Sequence, residues 1–158
     1  MKTVNIVIAG LGGQGIVKAS DILADVAFRA GHDVKKAEVH GMSQRGGSVN
    51  TDIRYGSVVL SPMVPDGAAD ILLIMEPTQI ENNRYRLSPG GKLLTSDCLE
   101  VFEHGSSRAD SVAMLGVLSA SLELPVEAWH AAIVAALPEK HQALNLAAFD
   151  AGRAFARR

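Results

Sequence analysis

The chain has 158 residues, 47% hydrophobic and 20% charged, with 15 basic against 17 acidic side chains and a formal net charge of −2. That length fits one domain, residues 1–158, with a real core, and the balanced charge excludes the uniform basic field of a nucleic-acid binder. The one cysteine, Cys98, supplies neither an intramolecular disulfide nor the thiolate set of an iron–sulfur cluster. Apolar stretches are short or broken by Gly, Ser or charge, so none reaches the roughly 18–20 residues of a membrane span. Met1-Lys2-Thr3 runs straight into a strand-like segment with no apolar signal region, and a cytoplasmic domain is the expectation.

In chain order, the β-branched run at residues 4–9 is too apolar to be half exposed and reads as a central parallel strand. It ends in Gly10-Leu11-Gly12-Gly13-Gln14-Gly15. A helix follows, with Ile16, Ala19, Leu23, Val26 and Ala30 at spacings of three or four and Gly31 as its stop. Residues 34–39 form a second strand, completing a βαβ unit. After the polar, glycine-rich segment 40–47, Val49, Thr51, Ile53 and Tyr55 alternate with polar residues as in a half-buried strand. Residues 57–60 are read as the second arm of a hairpin, and the two prolines and Pro-Asp-Gly of 61–67 as a surface crossing. A fully apolar strand at 71–75, a short helix ending near Leu87 and a strand at 92–96 come next. Residues 97–107 are irregular, and helices at about 108–122, 126–137 and 141–155 close the chain. Strands interleaved with helices and a helical C-terminal part give an α/β fold: a three-layer sandwich with a mostly parallel sheet and one β-hairpin.

Gly10, Gly12 and Gly15 fit G-x-G-x-x-G between a strand and a helix, the context that makes this turn Rossmann-like. Its glycines permit a tight turn and close ligand approach, and the N–H groups at the helix start can hold a phosphate or carboxylate. Glu38 stands where a ribose-binding acid would. Two readings stay open: a dinucleotide site, or glycines, with Gly13 and Gln14, that let strand and helix pack or dock a partner's backbone. The segment His40-Gly41-Met42-Ser43-Gln44-Arg45-Gly46-Gly47 is longer than a turn requires. Arg45 offers a fork for a carboxylate or phosphate and His40 a donor or acceptor near neutral pH. Taken singly, His40 reads as a hydrogen-bonded loop residue and Arg45 as a surface ion pair with Glu38. As a cluster beside the glycine turn they mark a functional edge.

These two motifs together resemble the gamma subunit or domain of 2-oxoacid:ferredoxin oxidoreductases, and most of all the small (beta) subunit of indolepyruvate:ferredoxin oxidoreductase. The likeness continues through Ser61-Pro62, Asp70 to Pro77, Pro89-Gly90-Gly91, Leu115-Gly116, Leu124-Pro125 and 145–152. The resemblance implies a non-catalytic subunit, inactive alone, that completes an enzyme oxidatively decarboxylating a 2-oxo acid to an acyl-CoA and reducing ferredoxin. Thiamine diphosphate, magnesium and the [4Fe-4S] clusters would then sit on larger partner subunits, and coenzyme A would border this chain. The ligand- or subunit-facing edge would comprise Gly10, Gly12, Gly13, Gln14, Gly15, Glu38, His40, Gln44, Arg45, Gly46 and Gly47, with no catalytic residue and no metal ligand in this chain. Two departures stand out: a short 98–107 segment where the family is longer, and Asp110-Ser111 where an Asn is expected.

Other reactive residues carry less. His130 and His141 lack ligand spacing. Cys98 and His104 lack an oxyanion-hole signature. Glu76 is expected to pair with Arg84, cap a helix start or orient a ligand. Met42, Met63 and Met75 read as gap-fillers and Trp129 as core or subunit contact. The alternative function is a stand-alone Rossmann-like nucleotide-binding module with Glu38 on the ribose; a weaker one is a homodimer through the 57–60 edge.

Overall fold

The structure is a computed structural model and describes residues 1–40 and 47–158. Five strands, β1 (Val4–Leu11), β2 (Asp33–His40), β3 (Ser48–Gly56), β4 (Ala69–Ile74) and β5 (Leu87–Thr95), form one sheet in the order β2-β3-β1-β4-β5. The helices are α1 (Ile16–Arg29), α2 (Ile80–Asn83), α3 (Asp110–Ser119), α4 (Val126–Ala136) and α5 (Glu139–Ala156).

The α/β class and the helical C-terminal part are as the sequence indicates, whereas the hairpin is not the one expected over residues 48–60. The sheet is mixed: β1 is parallel to β4 and β4 to β5, whereas β3 runs antiparallel to both β1 and β2. The hairpin is therefore β2–β3, and residues 57–60 are not a strand. The Val59 N–H that a ladder would use donates instead to Asp33 Oδ2 at 2.8 Å, turning the segment into a strap beside β2. The βαβ unit is also split, because β3 lies between β1 and β2.

Strand alternation divides the core by face. Ile6 and Ile8 of β1, Ile53 and Tyr55 of β3 and Ile71 and Leu73 of β4 meet the apolar stripe of α1 (Ile16, Ala19, Leu23, Val26), with α3, α4 and Phe149 of α5 behind. Val7, Ala9, Leu72 and Ile74 point the other way, under a thin layer made by the 61–68 crossing and Ile80 of α2. β1 has Ile6, Val7, Ile8 and Ala9 all fully buried, so its continuous apolar run reflects burial on both faces.

The thin layer is pinned by an ion pair. Arg86 Nη2 donates to Asp52 Oδ2 at 2.6 Å and to the Val64 carbonyl at 3.1 Å, and Asp52 Oδ2 also accepts the Val64 N–H at 2.9 Å. The side chains are 8% and 3% exposed, so the crossing loop finds its backbone partners in a buried charge pair. On the other face α3 and α5 cross at Gly116 and Gly152, where a Cβ would run into the carbonyls of Phe149 and Ala113.

Candidate functional site at the carboxyl edge of the sheet

β1 leads into α1 on one face, while β4 leads into α2 on the other. The chain therefore diverges between the carboxyl ends of β1 and β4, the place where open α/β sheets form ligand crevices. The glycine turn sits there. Gly13 (φ 90°) and Gly15 (φ 78°) have left-handed backbones, the latter as the residue before α1. Gly10 is needed for a different reason: a Cβ would lie 2.7 Å from both Gln14 Oε1 and Ile16 Cδ1.

Gln14 fixes the shape of this turn. Its Oε1 accepts the Leu11 N–H at 2.7 Å, and its Nε2 donates to Glu76 Oε2 at 3.0 Å, just past the end of β4. Glu76 Oε1 accepts from Thr78 Oγ1 at 3.2 Å. Glu76 thus serves the turn and not Arg84, which pairs with Glu81 at 2.9 Å. No local pattern signals a contact between residues 62 positions apart. Gly12 N–H donates to the Gly47 carbonyl at 2.8 Å, which ties the start of β3 to the turn.

A cleft of about 540 Å³ opens beside the turn, lined by Gly13, Gln14, Gly15 and Lys18 together with Met75, Ser96, Leu99, Glu100, Arg108, Asp110 and Ser111. The first-turn N–H groups of α1 lack intrahelical acceptors, and Lys18 and Arg108 add positive charge to the cleft, so it can accept an anionic group. Glu100 and Asp110 add the opposite sign to the same lining. An adjoining pocket of about 430 Å³ is lined by Leu99 to Ser107 and Asp110. There His104 Nε2 lies 2.6 Å from Asp110 Oδ1. Cys98 is turned elsewhere, 3.5 Å from Met114 Sδ, and burial raises its thiol pKa, so the two residues do not form a nucleophilic pair.

The residues singled out from the sequence separate into three groups. Gly10, Gly12, Gly13, Gln14, Gly15 and Gly47 come together at the turn. Gln44, Arg45 and Gly46 lie outside the described residues, as does Met42. Glu38 and His40 are on β2, which β3 holds one strand further from the turn than an adjacent βαβ strand would be, about 5 Å more. Glu38 is engaged there: Lys36 Nζ donates to it at 2.6 Å and lowers its pKa, and His40 Nε2 is 3.5 Å away. That placement does not favour Glu38 as a ribose acid. Trp129 is a fully buried core residue against Phe149, and His130 joins Asp150 at 2.7 Å. Among the described residues no group of three or more His, Cys, Asp and Glu side chains is placed to hold a metal, and no helix is long and apolar enough to cross a membrane.

The same fold occurs in a gamma subunit of a keto/oxoacid ferredoxin oxidoreductase and within a longer 2-oxoglutarate:ferredoxin oxidoreductase chain. The gamma subunit of a keto/oxoacid ferredoxin oxidoreductase from Geobacter sulfurreducens superposes with a TM-score of 0.82 at 21% identity, over 99% of this chain and 98% of that one. A 2-oxoglutarate:ferredoxin oxidoreductase from Magnetococcus marinus, solved with 2-oxoglutarate, coenzyme A and succinyl-CoA bound, matches with the same TM-score at 23% identity, over 99% of this chain and 31% of that one.

Sequence identifies the family. The pattern of the family "Pyruvate ferredoxin/flavodoxin oxidoreductase" matches residues 5–100 and 92–155, and the chain belongs to that family. The indolepyruvate oxidoreductase subunit IorB of Thermococcus kodakarensis is 48% identical over 96 residues, 61% of this chain and 48% of that protein. The ketoisovalerate oxidoreductase subunit VorA of Methanothermobacter thermautotrophicus is 28% identical over 98% of this chain and 36% of its own length. The chain spans about half the length of the IorB proteins it matches. The two family segments overlap at residues 92–100, running into the short 98–107 stretch.

Proposed function

We propose that the chain is the non-catalytic gamma-type subunit of a thiamine-diphosphate-dependent 2-oxoacid:ferredoxin oxidoreductase, with a 2-oxo acid of the indolepyruvate class as substrate of the complex. The observation that carries the reading is the family match over residues 5–100, which holds both the glycine turn and segment 40–47, joined in the structure by the Gly12–Gly47 hydrogen bond. The lone Cys98, half-buried and held as a thiol, supports placing the [4Fe-4S] clusters on larger partner subunits together with thiamine diphosphate and magnesium.

In this reading the chain binds and shapes, and the partners oxidise. Coenzyme A supplies the thiol that takes up the acyl group. Where it borders this edge, the α1 N-terminus, Lys18 and Arg108 would meet its phosphates, and Gln14 keeps the turn in the shape that exposes those N–H groups. Ferredoxin is reached only through the partner subunits. A cytoplasmic location accords with this assignment.

Co-expression with the thiamine- and cluster-bearing subunit tests the reading. Co-purification of the two chains, with indolepyruvate-dependent ferredoxin reduction only when both are present, is the expected result. Failure to co-purify, together with a large thermal shift of the isolated chain by a dinucleotide, would replace it with the nucleotide-module reading.

A further inference from the structure

Among the described residues β2 is an edge strand, with no strand paired along its outer side from Asp33 to His40. Lysines on an edge ordinarily discourage strand addition. Here Lys36 is already neutralised, by Asp21 at 2.5 Å and Glu38 at 2.6 Å, and those hydrogen bonds raise its pKa against the opposing effect of partial burial. Apolar side chains gather along the same margin. Val39 on β2 is 51% exposed and Val58, on the strap held to Asp33, is 66% exposed. On α1, Asp21, Asp25 and Phe28 share one flank by helical spacing. The Asp21–Lys36 contact turns that flank toward β2, and Phe28 is 72% exposed.

We propose that a second copy of this chain covers this margin, the two β2 strands pairing antiparallel about a two-fold axis at Ala37. A two-fold axis normal to the sheet keeps faces in common, so only residues of equal parity can stand opposite one another. Charge selects among the registers that leave most of Asp33–His40 paired. Centring on Lys36 sets Lys36 against Lys36, and centring on Glu38 sets Glu38 against Glu38, both unfavourable. Centring on Ala37 sets Lys36 opposite Glu38 twice on the α1 face, and Lys35 opposite Val39 twice on the other, where the lysine stem covers the valine. Val34 then faces His40, and the two sheets become one. This inference goes beyond the subunit reading and does not need it, since it concerns the chain alone.

Sedimentation velocity of the full-length chain, at micromolar to tens of micromolar concentration, should show a dimer. Lys36→Glu places carboxylates opposite one another at both pairs and should weaken the dimer by roughly tenfold or more in Kd. Lys36→Glu/Glu38→Lys should restore it. Melting curves confirm that each variant is folded. In a Cys98→Ser background a short bismaleimide should cross-link Ala37→Cys but not Lys35→Cys, whose partner position lies about 13 Å along the strand. A monomeric wild-type chain, an undiminished Lys36→Glu dimer, or preferential cross-linking of Lys35→Cys would each overturn the proposal.

Discussion

Two glycines three residues from α1 and at its threshold share a left-handed backbone but differ in surroundings. A Cβ at Gly13 meets nothing within 4 Å, whereas one at Gly15 would lie 2.8 Å from Ser111 Oγ. Gly13→Ala should therefore cost only the backbone penalty, about 1 kcal/mol, while Gly15→Ala adds a clash with α3, for about 2–3 kcal/mol in all. Urea denaturation of the two variants reads the difference directly. The turn itself was legible, because glycine spacing between a strand and a helix is a local signal. What holds the turn was not: Gln14 reaches Glu76, and nothing in the identity of either residue names a partner across β4. The same holds for Glu38. The sequence places it at the end of the second strand, and only the insertion of β3 shows how far that strand stands from the turn.

Among the elements, the strands and long helices were readable from apolar period, and their pairing was less so. β3 alternates strongly and needs a neighbour on each side. The sequence offered 57–60 as one of them, since Ser-Val-Val-Leu is strand-like by composition. A side chain, Asp33, captured the Val59 N–H and removed it from any ladder. The layer that follows depends on another side-chain device, the Asp52–Arg86 pair. Arg86→Met should destabilise the chain by about 3–5 kcal/mol, because it leaves the Asp52 carboxylate buried with only the Val64 N–H to answer it. Asp52→Leu/Arg86→Met should recover part of that loss, and chemical denaturation of both variants measures it. A simple packing residue would show no such recovery.

For the molecule as a whole, pH adds a test of how the amino end of the sheet is closed. Burial, reinforced by the nearby Asp70 and Glu123 carboxylates, pushes the Tyr55 phenol up to about 12 from an ordinary value near 10. Below pH 10 the phenol is neutral in folded and unfolded chains alike, and its burial contributes in full. From pH 10 to about 12 the unfolded chain ionises first, so stability falls with rising pH until the folded phenol also ionises. Urea midpoints measured across that range should fall less steeply in Tyr55→Phe than in the wild type.

β3 lies between β1 and β2 in space but follows both in the chain. Until residue 56 has been made, β1 and β2 have no neighbour to join them, and the apolar stripe of α1 has only half its platform. Synthesis in the N-to-C direction therefore passes through an interval in which a sticky helix waits for the strand that will seat it. The antiparallel insert makes the first quarter of the protein dependent on what comes after it, so nascent chains with only residues 1–40 emerged from the ribosome should engage holdase chaperones and those with β3 well clear of it should be released.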